Sequence, residues 1–288
     1  AEGVLPPGAL NVVPGLGEEA GAALAAHPGV AHLSFTGSVA TGRAIQAAAA
    51  ANVVPVTLEL GGKSPQIVFA DADLGRALPF LVGAGLQNAG QTCSAASRIL
   101  VERPAYETVL ARMAERYAGL VAGPALADRD LGPLISARQK ARVESYLARG
   151  LDLRVAATGR IDAAAPPGGH YVAPLLLADA PPDHPLAQEE IFGPVQVVLP
   201  FEDEAEALAV ANATPYGLVA AVWTADGARS LRLARGLRAG QVFLNDYGAG
   251  GGVELPFGGV GLSGHGREKG FEALAGFTRL KTVAAWHG

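Results

Sequence analysis

A single cysteine, Cys93, stands in Gly90-Gln91-Thr92-Cys93-Ser94, between an apolar run and a β-like run. A thiol there is a nucleophile if a local field or a nearby base favours thiolate; otherwise it is a small buried hydrophobe. Glu59 ends the β-branched stretch 53–60 and is followed by Gly61-Gly62-Lys63-Ser64-Pro65. A carboxylate at the end of so apolar a strand is costly unless paired, and partial desolvation would lift its pKa toward neutrality, which suits a general base. A salt bridge to Lys63, or an edge position facing water, accounts for Glu59 as well. Glu190 and Phe192 lie in Glu189-Glu190-Ile191-Phe192-Gly193-Pro194. They pair an acid suited to ribose hydroxyls with a ring suited to a flat group; an exposed acidic helix end with a core phenylalanine is the plainer reading.

Phe35-Thr36-Gly37-Ser38-Val39-Ala40-Thr41-Gly42 sits where a strand gives way to a helix. Glycines there let backbone N–H groups approach a phosphate, and a helix N-terminus favours an anion. The motif is not the G-x-G-x-x-G fingerprint, and glycine turns between strand and helix are common. The six histidines show no spacing that nominates a partner for Cys93. With one cysteine they form no metal-ligand pattern.

These residues need a scaffold, and the pattern supplies an α/β one. Short β-like runs at 30–35, 53–60, 67–69, 99–101, 172–177, 195–201, 218–224 and 241–244 alternate with helical periodicity at 38–51, 74–89, 106–120, 137–148, 202–211 and 227–235. The glycine-dense stretch 247–266 is too long for a simple connection, so function is expected there. The segment 159–169 reads as a surface loop.

Composition removes several classes. Half of the 288 residues are hydrophobic and 17% are charged, enough for a core and too apolar for disorder. The net charge is −5, with no basic patch to bind nucleic acid. The uncharged stretch 77–97 contains Pro79, Gln87, Asn88 and Gln91, which argues against a membrane span. A lone cysteine forms no intramolecular disulfide, which fits a reducing, cytoplasmic setting.

Together the segments resemble the NAD(P)-dependent aldehyde dehydrogenase family over nearly the whole chain. The markers are Phe35-Thr36-Gly37-Ser38, Glu59-Leu60-Gly61-Gly62-Lys63-Ser64-Pro65, Gly90-Gln91-Thr92-Cys93, Glu190-Ile191-Phe192-Gly193-Pro194, and the tail from Pro256-Phe257-Gly258-Gly259 through Ser263-Gly264-His265-Gly266-Arg267-Glu268. The resemblance implies the remnant of a Rossmann-like cofactor domain over 1–61, an α/β catalytic domain over 62–265, and a return segment over 266–288 that can supply an oligomerisation strand. It implies NAD or NADP as cofactor, a small aldehyde as substrate and a homo-oligomer. Cys93 would add to the aldehyde as a thiohemiacetal, oxidation would leave a thioester, and Glu59 would activate the water that releases a carboxylic acid. Gly37, Ser38 and Gly42 would meet the pyrophosphate, Leu60 the carboxamide through its backbone, and Glu190 with Phe192 the nicotinamide riboside.

Two departures stand out. Relatives often carry lysine where this chain has Gly261, and a loop-packing effect is expected there. In the family, a segment ahead of residue 1 supplies half of the cofactor sheet, an adenosine-binding lysine and an oxyanion-hole asparagine; none has a matching position here. A fragment of a longer enzyme is therefore expected, with two alternatives. One is a truncated member serving oligomerisation or regulation; the other is a cofactor-independent cysteine esterase. Losing one oxyanion donor costs on the order of 10²–10³ in turnover. Residues 1–288 expressed alone should thus oxidise a simple aldehyde poorly beside an upstream-extended protein. Equal specific activity from the short chain overturns that expectation.

Overall fold

The computed structural model describes residues 4–248 and 252–288. Five of its helices begin where the sequence offers a short side-chain oxygen to orphan N–H groups. Ser38 Oγ accepts from Thr41 N–H at 3.2 Å and opens Val39–Ala50. Asp73 accepts from Gly75 and Arg76 to open Leu74–Leu86. Ser136, Asp203 and Asp226 do the same for Ala137–Ala148, Glu204–Ala211 and Gly227–Gly236.

Two sheets organise the described residues. The larger runs Gln241–Leu244, Val219–Trp223, Pro65–Val68, Arg98–Glu102, Val195–Phe201, Leu175–Ala178, Arg154–Thr158. All neighbours are parallel except the last pair. Parallel strands covered on both faces should be apolar throughout, and Val195–Phe201 is buried along nearly its whole length. Leu74–Leu86 and Tyr106–Gly119 pack together on one face. Glu204–Ala211 and Gly227–Gly236 pack together on strands of the same sheet. Buried side chains show that these pairs occupy opposite faces. Gln66 and Gln196 donate to carbonyls of Leu74–Leu86, whereas Arg98, on the other side of the pleat, reaches Val210 O and Ala211 O.

The smaller sheet joins Leu33–Thr36 and Val56–Glu59 in parallel and adds Gly264–His265 antiparallel to the second. The chain's tail thereby returns to its beginning.

Several boundaries move from the sequence expectation. The strand expected over 53–60 starts at Val56, because Val53 takes a left-handed φ of 56° as an exposed turn residue. The helix expected to reach 89 stops at Leu86, since Asn88 and Ala89 turn left-handed at φ 53° and 55°. The 159–169 loop hides a two-residue strand, Arg160–Ile161, paired with Val121–Ala122. Within 247–266, Val260–Gly261 pairs with Tyr216–Gly217. Gly261 has φ +62°, and a Cβ there would lie 2.5 Å from Pro215 O, so a side chain demands a different loop backbone.

Arg98 fixes the centre of this architecture. Its guanidinium is buried and donates to Lys63 O, Val210 O and Ala211 O at 2.8–3.0 Å. Arg98→Met would strand three buried carbonyls, each costing about 1–3 kcal/mol. We expect a loss of about 3 kcal/mol, read from denaturant unfolding; an unchanged midpoint would remove Arg98 from this role.

Candidate active site

Three loops enter the larger sheet at the amino ends of adjacent strands, and each carries a predicted residue. Leu60, followed by Gly61 and Gly62, precedes Pro65–Val68, Cys93 precedes Arg98–Glu102, and Glu190 with Phe192 precede Val195–Phe201. Glu59 and the Thr36-Gly37-Ser38 turn come from the carboxyl ends of the smaller sheet's parallel strands. The two sets face one cleft of about 730 Å³. Gly37, Ser38, Glu59, Cys93, Glu190 and Phe192 all line it.

Glycines permit the crossing. A Cβ on Gly61 would lie 2.4 Å from the Glu190 carboxylate, and one on Gly62 2.3 Å from Cys93 O. Gly62 N–H donates to Glu190 Oε1 at 3.0 Å, so this strap links the acid to the thiol loop. Ser263, from the tail, locks it: Ser263 Oγ donates to Gly61 O at 2.7 Å and Leu60 N–H donates to Ser263 O at 3.1 Å. Gly42 and Leu60 lie behind the wall of the cleft. Gly42 N–H bonds Ser38 O, and its missing side chain makes room for the Leu60 methyls.

Burial sets the protonation states. Glu59 is 2% exposed, and neither carboxyl oxygen has a hydrogen-bond partner among the described residues. Its pKa is pushed up to about 8, first by burial and then by the Glu268 carboxylate, with Arg267 opposing. Cys93 is raised too, by burial and then by the Glu190 and Glu59 carboxylates, with backbone N–H groups of Ser94 and Cys93 opposing. Glu190 is raised by burial against the pull of Gly62 N–H, Arg142 and Lys63. At neutral pH the cleft holds a thiol beside a carboxylic acid. Among the described residues no cluster of His, Cys, Asp or Glu suits a metal.

Comparison with known proteins identifies the family. The model of the aldehyde dehydrogenase family matches residues 1–283. The chain belongs to the aldehyde dehydrogenase family. Betaine aldehyde dehydrogenase of Sinorhizobium fredii is 44% identical over 98% of this chain and 58% of its own length. A solved candidate aldehyde dehydrogenase of Burkholderia cenocepacia is 64% identical, with TM-score 0.97 over 100% of this chain and 61% of that one. An aldehyde dehydrogenase of Bacillus cereus, solved as its NAD+ complex, is 40% identical, with TM-score 0.89 over 94% of this chain and 55% of that one. The chain spans somewhat over half the length of the curated relatives it matches.

The aldehyde dehydrogenase cleft also has a wall that the motifs did not nominate. Arg138, Gln139 and Arg142 line it from the Ala137–Ala148 helix. Gln139 Nε2 donates to Phe192 O at 2.8 Å and Arg142 Nη2 to Glu190 O at 2.7 Å. Gln139 thereby secures Phe192, whose left-handed φ of 62° costs about 1–3 kcal/mol for a non-glycine residue. Spacing puts positions 138, 139 and 142 on one helix face, but nothing in the sequence tells that basic and amide-bearing stripe from a solvated one.

Glu59 gives a pH test of the site. An acid whose folded pKa lies above its unfolded value favours the fold while protonated. That stability is full below about 4.5 and is lost as pH rises through about 8. Glu59→Gln should therefore melt higher than the parent at pH 9 and match it at pH 4. A gain equal at both pH values would show that Glu59 is not the titrating group.

Proposed function

We propose that this chain is the thiol-bearing part of an enzyme that oxidises a small aldehyde to a carboxylic acid with NAD+ or NADP+. The observation that carries this reading is the single cleft lined by Cys93, Glu59, Glu190, Phe192 and the Ser38 helix N-terminus. We divide the chain accordingly: 1–61 with the cofactor half, 62–265 as the catalytic domain, and 266–288 as the return segment. The separate small sheet supports the first boundary, and Gly264–His265, which closes it at the very end of 62–265, leads into the return segment.

The residues fit a dinucleotide. Val39–Ala50 presents its N-terminus at the cleft and suits a phosphate, with Gly37 and Ser38 beside it. Gly42 and Leu60 back that turn. Glu190, with Phe192 beside it, suits the nicotinamide riboside. When bound, the dinucleotide supplies the two-electron oxidant that converts the adduct on Cys93 into a thioester.

The chain's own residues do the rest. The ionised fraction of Glu59 takes the Cys93 proton and hands it to solvent, and the sulfur adds to the carbonyl carbon while the π pair moves to oxygen. After oxidation, Glu59 draws a proton from water, whose oxygen attacks the thioester carbon. The C–S bond breaks, the acid departs and the thiolate is regenerated. Glu59's value near 8 suits both transfers, because the group gives and takes a proton near neutrality. A homo-oligomer in a reducing, cytoplasmic setting completes the reading. Leu280, Val283 and Trp286, exposed along the tail, support the first, and the single cysteine supports the second.

Cys93→Ala should abolish aldehyde-dependent NAD(P)H formation while nucleotide binding persists. Glu59→Gln should still give a single-turnover burst, slowed because solvent must take the thiol proton, with a much larger loss in the steady turnover after it. Ordinary oxidation by Cys93→Ala overturns the mechanism. Equal loss of burst and steady phases in Glu59→Gln reassigns Glu59 to thiol activation alone.

A further inference from the structure

The Cys93 loop is fastened from beneath by a side chain that does not line the cleft. Gln196 stands fully buried on Val195–Phe201. Its Nε2 donates to Leu81 O at 2.8 Å and to Ala96 O at 2.5 Å, and its Oε1 accepts from the Tyr117 hydroxyl at 2.5 Å. Two acceptor carbonyls at one end and a hydroxyl at the other fix which end is nitrogen, since a flipped amide would set oxygen against oxygen. Both amide hydrogens are used.

The partners of that amide bracket the thiol. Leu81 belongs to the helix that leads into the loop, and Ala96 lies three residues beyond Cys93. Ala96 N–H donates to Ala84 O at 3.1 Å, so the other polar group of Ala96 is tied to the same helix. Gly85 leaves the space through which the amide enters; a Cβ there would lie 2.2 Å from Nε2. At its start the loop is under strain. Asn88 and Ala89 are left-handed, at about 1–3 kcal/mol each, and such backbone persists where its surroundings over-determine it.

We propose that Gln196 is a positioning residue for Cys93: its amide fixes the loop after the thiol to the helix before it and to the central strand, and so sets where the sulfur stands. The link to catalysis rests on the dehydrogenase reading above. A misplacement of about 1 Å costs on the order of 10² in rate, so the consequence is kinetic as well as structural.

Gln196→Met keeps the volume and removes all three hydrogen bonds; Tyr117→Phe removes only the anchor on Oε1. Leu233→Ala, buried on the opposite face of the sheet, controls for general destabilisation. Two readouts apply. The first is the rate constant of the aldehyde-dependent burst, expected to fall about tenfold or more in Gln196→Met. The fall should be smaller in Tyr117→Phe and absent in Leu233→Ala, with burst amplitude and nucleotide affinity kept. The second is alkylation of Cys93, the single cysteine, by iodoacetamide across pH. Loosening the loop should admit water to the sulfur, moving the midpoint down toward an ordinary thiol and raising the rate, again without change in Leu233→Ala. Folded Gln196→Met with parental burst rate and parental alkylation profile overturns the proposal, as does an equal effect in Leu233→Ala. If Gln196→Met fails to fold, Tyr117→Phe decides by the same readouts. Both readouts use the upstream-extended protein as parent; if that parent gives no burst, the dehydrogenase reading is overturned instead, and alkylation alone then decides on Gln196.

Discussion

Everything in the cleft answers to the burial of one carboxyl group. Glu59 points into a space where no described donor reaches either oxygen, and the fold holds it there by closing backbone around it. A Cβ on Gly258 would lie 2.6 Å from Glu59 Oε1, and Gly264 pairs with Glu59 in the antiparallel ladder. A carboxylate so placed without partners would be costly, so the group stays protonated to a higher pH. The same desolvation acts on Cys93, and the nearby carboxylates add to it. At rest, thiol and acid are both neutral. Reactivity then requires Glu59 to ionise first, and its value near 8 keeps that step within reach of neutral pH.

Positioning such a pair takes two sheets. Open parallel sheets usually bind ligands beyond the carboxyl ends of their strands. The smaller sheet follows that rule, presenting Gly37, Ser38 and Glu59. The larger one does not, for its contribution arrives on loops at the amino ends of three adjacent strands. The cleft is the seam where the two meet, and its walls come so close that side chains are omitted at Gly61, Gly62 and Gly258. Mobile loops would be a poor mount for a nucleophile. The larger sheet compensates with buried polar side chains: Gln66 holds Phe80 O and accepts from Trp223, Gln196 holds Leu81 O and Ala96 O, and Arg98 holds Lys63 O. Each reaches from a central strand to backbone of a neighbouring helix or loop.

That distinction explains what was legible in the sequence. Strand and helix alternation follows from hydrophobic period, and Val195–Phe201 and Ala137–Ala148 fall where the pattern puts them. The ends slipped at 53 and 88–89, where Val53 and Ala89 turn left-handed against their preference and only Asn88 belongs to a type that does so readily. Cys93, Glu59, Glu190 and Phe192 were legible as motif residues and lie on one cleft. Gln139 and Arg142 were not, because an amide and a guanidinium on a helix look like solvent-facing residues until the loop they hold is known. Gln196 reads as a polar interruption in an apolar strand, and only the fold shows three partners waiting for it.

The tail closes the argument, because the site is assembled from opposite ends of the sequence. Ser263 binds the Gly61 strap, and its region pairs with Val56–Glu59 across some two hundred residues of chain. Such closure is entropically mild, each doubling of loop length adding only about 0.6 kcal/mol. The larger demand is steric, since Gly264 has φ +104° and a Cβ there would sit 1.9 Å from Leu58 O. A side chain at 264 would hold the tail off the Glu59 strand, open one wall of the cleft and let water reach the carboxyl. The property that makes Glu59 a base near neutral pH therefore depends on a glycine far away in sequence, which carries no reactive group of its own.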